Sequence, residues 1–162
     1  MSENNERPAE KLVRGLKEKG LRITAAESCT GGLLMSEITS VSGASDVFSG
    51  GFVTYSEETK HKYIGVSKKV IEKYGVVSIQ TACEMAEGAL ETAKADIALA
   101  VTGWAGPNDG DDGQPHGTVC IGLAAKGKVY AKKYRFEGDR NSVRAQAAEK
   151  AIETAIIELG II

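Results

Sequence analysis

The chain has 162 residues, 42% hydrophobic and 26% charged, with a formal net charge of −2, a balance that fits one globular domain over 1–162. A net acidic chain lacks the basic field of a sequence-independent nucleic-acid binder, and no apolar run approaches the length of a membrane span. Cys29, Cys83 and Cys120 are odd in number and far apart, which argues against a disulfide framework or a zinc motif and for a reducing, cytoplasmic setting.

In chain order, residues 1–7 read as a short frayed tail without the features of a signal peptide. Ala9–Lys19 predicts a helix with Leu12, Val13 and Leu16 as its buried stripe and Gly20 as its C-cap. Leu21–Ala26 reads as a short strand running into Glu27–Gly32, and a helix follows through Leu33, Leu34, Met35 and Ile38. Ser42–Ser45 is a loop, and Val47–Tyr55 reads as a strand with a bulge at the Gly50-Gly51 pair. Ser56 predicts the cap of a short helix through Glu57, Glu58, Thr59 and Lys60. Helices follow over Lys68–Tyr74 and Gln80–Ala93, the second capped by Ser78 with Ala82, Met85, Ala86 and Ala89 on one face. Asp96–Val101 predicts a central strand buried on both faces, ending at the turn Thr102–Pro107. After the acidic loop Asn108–Gln114, Thr118–Ala125 and Val129–Phe136 form a hairpin joined through Lys126–Lys128. The last helix runs from about Asn141 to Leu159, capped by Asp139 or Asn141. Helices between early strands and a late hairpin predict an α/β fold with a mixed central sheet covered on both faces.

The chemistry concentrates in two Gly-rich turns that each follow a predicted strand, Ser28–Gly32 and Thr102–Pro107. If those strands are parallel neighbours, the turns meet in one crevice beyond their carboxyl ends. The first turn opens a helix, whose free N–H groups would attract an anion or a developing oxyanion. It is neither a Walker loop nor a nucleophile elbow, and by pattern alone Ser28 and Thr30 read as helix caps. A nucleophilic Ser28 needs a base. His61 reads as a solvated residue and His116 as a ligand contact; Lys60, about one helical turn beyond Tyr55, could face the same crevice, and Tyr55 could orient or relay a proton. Cys29 is the intrinsically stronger nucleophile, and a helix N-terminus would favour its thiolate.

These segments resemble the CinA C-terminal domain family (competence/damage-inducible proteins). The resemblance rests on Thr24–Leu33, Gly50–Ser56 with Lys60 and Gly65-Val66, Gly75–Ser78, Met85–Gly88, Thr102–Pro107, Gly117–Val119 and Gly138–Arg140, in order along nearly the whole chain. It implies a three-layer α/β/α sandwich and nicotinamide-nucleotide amidase activity within the pyridine nucleotide cycle of NAD metabolism: nicotinamide mononucleotide plus water gives nicotinate mononucleotide plus ammonia. It implies Ser28 as nucleophile, Lys60 as base and Tyr55 nearby, no cofactor and no metal. By the same resemblance Thr30, Gly31 and Gly32 line the substrate pocket from one turn and Thr102, Gly103, Ala105 and Gly106 from the other, with Arg140 as the one charged candidate for the phosphate. Many relatives carry an additional N-terminal domain, so this chain reads as the stand-alone form, and a homo-oligomer stays open. The sequence departs from the family pattern at Glu57, at Trp104, and in the acidic loop with Asp109, Asp111 and Asp112, which bears on substrate affinity more than on fold. Two rivals remain at this point: a Cys29-based amidase, and a non-catalytic nucleotide-binding or regulatory module using the same crevice.

Overall fold

A computed structural model of the protein describes residues 5–162. Twelve residues from Pro8 to Lys19 form α1, which buries Leu12, Val13 and Leu16 and stops at Gly20, whose φ of 66° closes the helix in the left-handed region. Of the tail expected over 1–7, residues 1–4 lie outside the described residues. Beyond them the chain is tied down: both carboxylate oxygens of Glu6 take the guanidinium of Arg14 at 2.9 and 3.0 Å, and the Arg7 N–H donates to Glu10 at 2.9 Å.

The sheet has five strands in the order β2-β1-β3-β4-β5, with β1 Ile23–Glu27, β2 Phe52–Val53, β3 Ile97–Gly103, β4 Thr118–Ala125 and β5 Lys128–Arg135. β1 runs parallel to both β2 and β3, β4 is antiparallel to β3, and the hairpin of β4 and β5 completes the mixed sheet. Helix α1, α2 (Leu33–Thr39) and α6 (Arg140–Glu158) cover one face; α3 (Glu57–Ile64), α4 (Lys68–Tyr74) and α5 (Ile79–Ala93) cover the other. The protein is therefore an α/β/α sandwich.

The two faces are packed differently because β3 alternates by size as well as by side. Ile97, Leu99 and Val101 join the core under α1, α2 and α6, whereas Ala98 and Ala100 face α5. Small residues on that side let α5 lie close to the sheet: a Cβ at Gly122 would sit 2.6 Å from the Ala82 carbonyl oxygen. Burying each large aliphatic side chain of the other face is worth about 1.5–3 kcal/mol.

Most element ends shift by one or two residues from the expected ones, and two differ by more. The strand expected over Val47–Tyr55 pairs only at Phe52–Val53, with one isolated bridge from Phe48 to Ile23. The glycine pair interrupts it: Thr24 Oγ1 donates to the Gly50 carbonyl at 2.8 Å, and a Cβ at Gly51 would lie 2.8 Å from the Ala25 carbonyl oxygen, so the backbones cross too closely for a regular ladder. Helix α3 continues to Ile64, where Gly65 ends it. Of the two caps expected for α6, Asp139 is the one used, accepting from the Ser142 N–H at 2.8 Å. Among the described residues no helix is long and apolar enough to cross a membrane.

Candidate active site

Because β2, β1 and β3 are parallel neighbours, their carboxyl ends lie side by side and the segments that follow them meet. Ser28 continues β1 by one residue, its N–H donating to the Val101 carbonyl at 2.9 Å. A cavity of about 500 Å³ opens there, between Ser28 and Cys29 on one side and Thr102, Gly103, Trp104, Ala105 and Gly106 on the other, with Tyr55, Glu57 and Arg140 on its rim. That volume falls in the usual range of small-molecule sites.

Lys60 enters this site from α3. Ser56 caps the helix, accepting from the Thr59 N–H at 3.1 Å, and the helix turns Lys60 and Ile64 inward together, as residues four apart on one face. Lys60 is completely buried, its Nζ 2.9 Å from Ser28 Oγ and 2.7 Å from the Thr54 carbonyl oxygen. No carboxylate among the described residues is within ion-pair distance of it. Burial without a counter-ion disfavours the ammonium and pulls its pKa from 10.5 to about 8, a shift that the Glu57 charge only partly opposes. The expectation that Lys60 could face the crevice is met in geometry.

Burial acts the opposite way on Cys29. The residue is 5% exposed, and desolvation pushes its thiol pKa up to about 12 against the opposing charge of Lys60. The helix N-terminus that was expected to favour a thiolate is already occupied. The carboxylate of Glu27, itself fully buried, accepts from the N–H groups of Gly32 at 3.2 Å, Leu34 at 2.9 Å and Met35 at 3.0 Å. The free N–H groups expected at the start of α2 are thus spent on the protein's own carboxylate.

The other expected residues divide. Thr102, Gly103, Ala105, Gly106 and Arg140 line the cavity; Thr30, Gly31 and Gly32 do not. Thr30 is fully buried behind the turn, its Oγ1 without a partner among the described residues, while Gly32 begins α2 with a φ of 105°. The Thr102 hydroxyl donates to the Val76 carbonyl at 2.9 Å, so neither threonine hydroxyl offers the cavity a free donor for an anion. Arg140 spans the mouth, with Nη1 2.6 Å from the Gly106 carbonyl oxygen and Nη2 3.0 Å from the Tyr55 hydroxyl. Tyr55, 61% exposed, therefore sits on Arg140 rather than on Ser28 or Lys60. His61 and His116 are both turned elsewhere, to the Val66 carbonyl and to Asp109 respectively. Trp104 lines the cavity with its Nε1 3.4 Å from Asp112.

Sequence reasoning gave no role to Glu27 or to Arg144, whose guanidinium reaches the carbonyl oxygens of Cys29 and Thr30, each at 3.1 Å. The spacing held a signal for the second: Arg144 lies four residues after Arg140, on the same stripe of α6.

The sequence model of the CinA C-terminal domain matches residues 5–159. A nicotinamide-nucleotide amidohydrolase PncC of Enterobacter agglomerans is 50% identical over 144 residues, covering 88% of each chain. A CinA-like protein of Syntrophobacter fumaroxidans is 44% identical over 153 residues, 94% of this chain but 36% of its own length. The chain spans about a third of the length of several such curated relatives. The crystal structure of a CinA superfamily protein from Klebsiella pneumoniae superposes with a TM-score of 0.92 at 35% identity, covering 94% of this chain and 96% of that one.

Proposed function

The chain belongs to the CinA C-terminal domain family, and from that membership and the chemistry of the cavity we propose that it is an amidohydrolase that converts nicotinamide mononucleotide and water to nicotinate mononucleotide and ammonia. The observation that carries this reading is Lys60: a fully buried amine, without a counter-ion among the described residues, 2.9 Å from a serine hydroxyl that faces a small-molecule cavity. A lysine whose pKa falls to about 8 has a usable fraction of free amine near neutral pH. The 50% identical relative that carries the amidohydrolase name supports the substrate class.

In the proposed reaction the Lys60 amine takes the Ser28 proton as Oγ bonds to the carboxamide carbon. The carbonyl oxygen becomes an oxyanion, held by backbone N–H groups of the turn. Lys60, now an ammonium, returns its proton to the amide nitrogen, the C–N bond breaks, and ammonia leaves an acyl ester on Ser28. The same amine then deprotonates a water that attacks the ester, releasing the acid and restoring the Ser28 hydroxyl. Tyr55 and Arg140 stand at the cavity mouth and not at the reacting atoms. Arg140 is the guanidinium on the lining and is assigned to the phosphate, which lies at the opposite end of the mononucleotide from the carboxamide.

Ammonia release from nicotinamide mononucleotide by the purified chain tests this. Turnover is expected; a nucleotide-induced thermal shift with no ammonia would instead make the chain a nucleotide-binding module.

A further inference from the structure

The cavity lining carries the carboxylates of Glu57, Asp109 and Asp111 but, among the described residues, a single cation, Arg140. A phosphate dianion is therefore repelled along much of that surface and attracted at one point. Arg140 is the first residue of α6, and its guanidinium bridges two distant segments: Nη1 donates to the Gly106 carbonyl in the turn after β3, and Nη2 to the Tyr55 hydroxyl between β2 and α3. Both partners are neutral acceptors, and no carboxylate among the described residues is within ion-pair distance of Arg140. The side chain is held in place while its charge stays uncompensated. An arginine already fixed loses less rotamer entropy when an anion arrives.

Tyr55 adds a second group at the same point. A guanidinium has donors only, so the Tyr55 oxygen is the acceptor in their 3.0 Å contact. The phenol proton then points elsewhere, and it meets no acceptor among the described residues. A hydroxyl that accepts from a cation is polarised and donates more strongly. Tyr55 and Arg140 both line the cavity, so an O–H and a charged fork of N–H groups stand within one hydrogen-bond length of each other at its mouth. Tyr55 is exposed, so core packing does not account for its place. Nor does the chemistry, because Lys60 bonds to Ser28 and Thr54 and Tyr55 to neither.

We propose that the Tyr55 hydroxyl and the Arg140 guanidinium form one clamp for a phosphomonoester, Tyr55 donating to the phosphate while it accepts from Arg140. This rests on the amidase reading above for the rest of the ligand, but not for the phosphate. Tyr55 is then a specificity-determining residue and not a proton relay.

The experiment uses the full chain with Tyr55→Phe, Arg140→Ala and the double variant. Calorimetric affinities for nicotinate mononucleotide and nicotinate riboside, and steady-state kinetics on nicotinamide mononucleotide, are measured on each. Tyr55→Phe should weaken the mononucleotide by about ten- to a hundredfold, the range for a hydrogen bond to a charged group, and the riboside by less than about threefold. It should raise KM for nicotinamide mononucleotide far more than it lowers kcat. Once Arg140 is alanine, the same change should cost about threefold or less, because the phenol has lost the cation that holds and polarises it. Unchanged mononucleotide affinity, equal weakening of both ligands, or the full effect persisting without Arg140 overturns the clamp. So does a kcat that falls while both affinities hold, the signature of a relay. Should Tyr55→Phe fail to fold by circular dichroism, nitration of wild-type Tyr55 by tetranitromethane decides: the mononucleotide should protect and the riboside should not, and equal rates overturn the clamp. Wild type that releases no ammonia overturns the amidase reading alone; the affinities then decide the clamp. Wild type that binds the mononucleotide no more tightly than the riboside overturns it.

Discussion

The two turns that build the cavity are held by opposite means. Three ionisable groups meet at the Ser28 turn from the inside: Lys60 and Glu27 are fully buried, and Arg144 is seated on its carbonyls. The turn after β3 and the loop beyond it are tied from the outside, by Asp109 to the His116 ring at 2.9 Å, Asp112 to Trp104 at 3.4 Å and Gln114 to the Val77 carbonyl at 3.0 Å, contacts in which Asp109 and Asp112 are solvent-exposed and His116 is half-buried. Buried polar groups in low dielectric bond strongly and are costly to leave unpaired, whereas exposed ones are screened. The first turn thus has the more rigid geometry, which suits it to the chemistry proposed above, and the second the more adjustable contacts.

The largest expected effects break the first turn. Ser28→Ala and Lys60→Met should each lower turnover by several orders of magnitude and leave the fold intact, as read by ammonia release and circular dichroism. Cys29→Ala, by contrast, should keep most activity, because a thiol held near pKa 12 supplies no thiolate at neutral pH. Lys60→Met should also raise Tm by a few degrees, since it removes a charge that burial disfavours. A wild-type rate in Lys60→Met would return Lys60 to the status of an ordinary lysine.

Glu27→Ala comes next. It strands the Gly32, Leu34 and Met35 N–H groups in the interior and should destabilise by roughly 3 kcal/mol or more, measured by urea unfolding. An unchanged midpoint would mean that the carboxylate does not hold the start of α2.

At the cavity mouth the effect should be specific rather than global. Arg140→Ala should weaken nicotinamide mononucleotide by about one to two decades and leave nicotinamide riboside nearly unaffected, since a charged hydrogen bond contributes roughly 1.5–3 kcal/mol. A preserved preference for the phosphorylated substrate would take the phosphate away from Arg140.

Titration gives a smaller change with a definite sign. The base must be the free amine, so kcat/KM should rise about tenfold per pH unit below the Lys60 pKa of about 8 and level off above it. The folded pKa lies below the unfolded value of 10.5, so the folded chain sheds this proton first. Between about 8 and 10.5 the unfolded state binds the extra proton, and this group adds stability as pH rises. The stability difference between wild type and Lys60→Met should therefore narrow over that window. The smallest effect belongs to the second turn: Asp109→Asn should leave Tm unchanged and shift KM without shifting kcat.

Much of this was legible in the chain. The periodicity of Leu12, Val13 and Leu16, the caps Ser56, Ser78 and Gly20, and the hairpin at Lys126–Lys128 determined the elements, because each depends on neighbours within a few residues. The family pattern in the sequence singled out Ser28 and Lys60. The sequence could not show that β1 and β3 are parallel neighbours, and so that the two turns share a cavity. Nor could it show that Lys60 is buried beside Ser28 Oγ, that Glu27 fills the helix start expected to hold an anion, or that Thr30 and Gly31 do not line the cavity. Except for Glu27, whose partners lie within eight residues, those facts depend on residues far apart in sequence, Lys60 with Ser28 or Arg144 with Cys29. Burial and the pairing of charges follow from packing, and packing is decided only when the sheet brings its strands together.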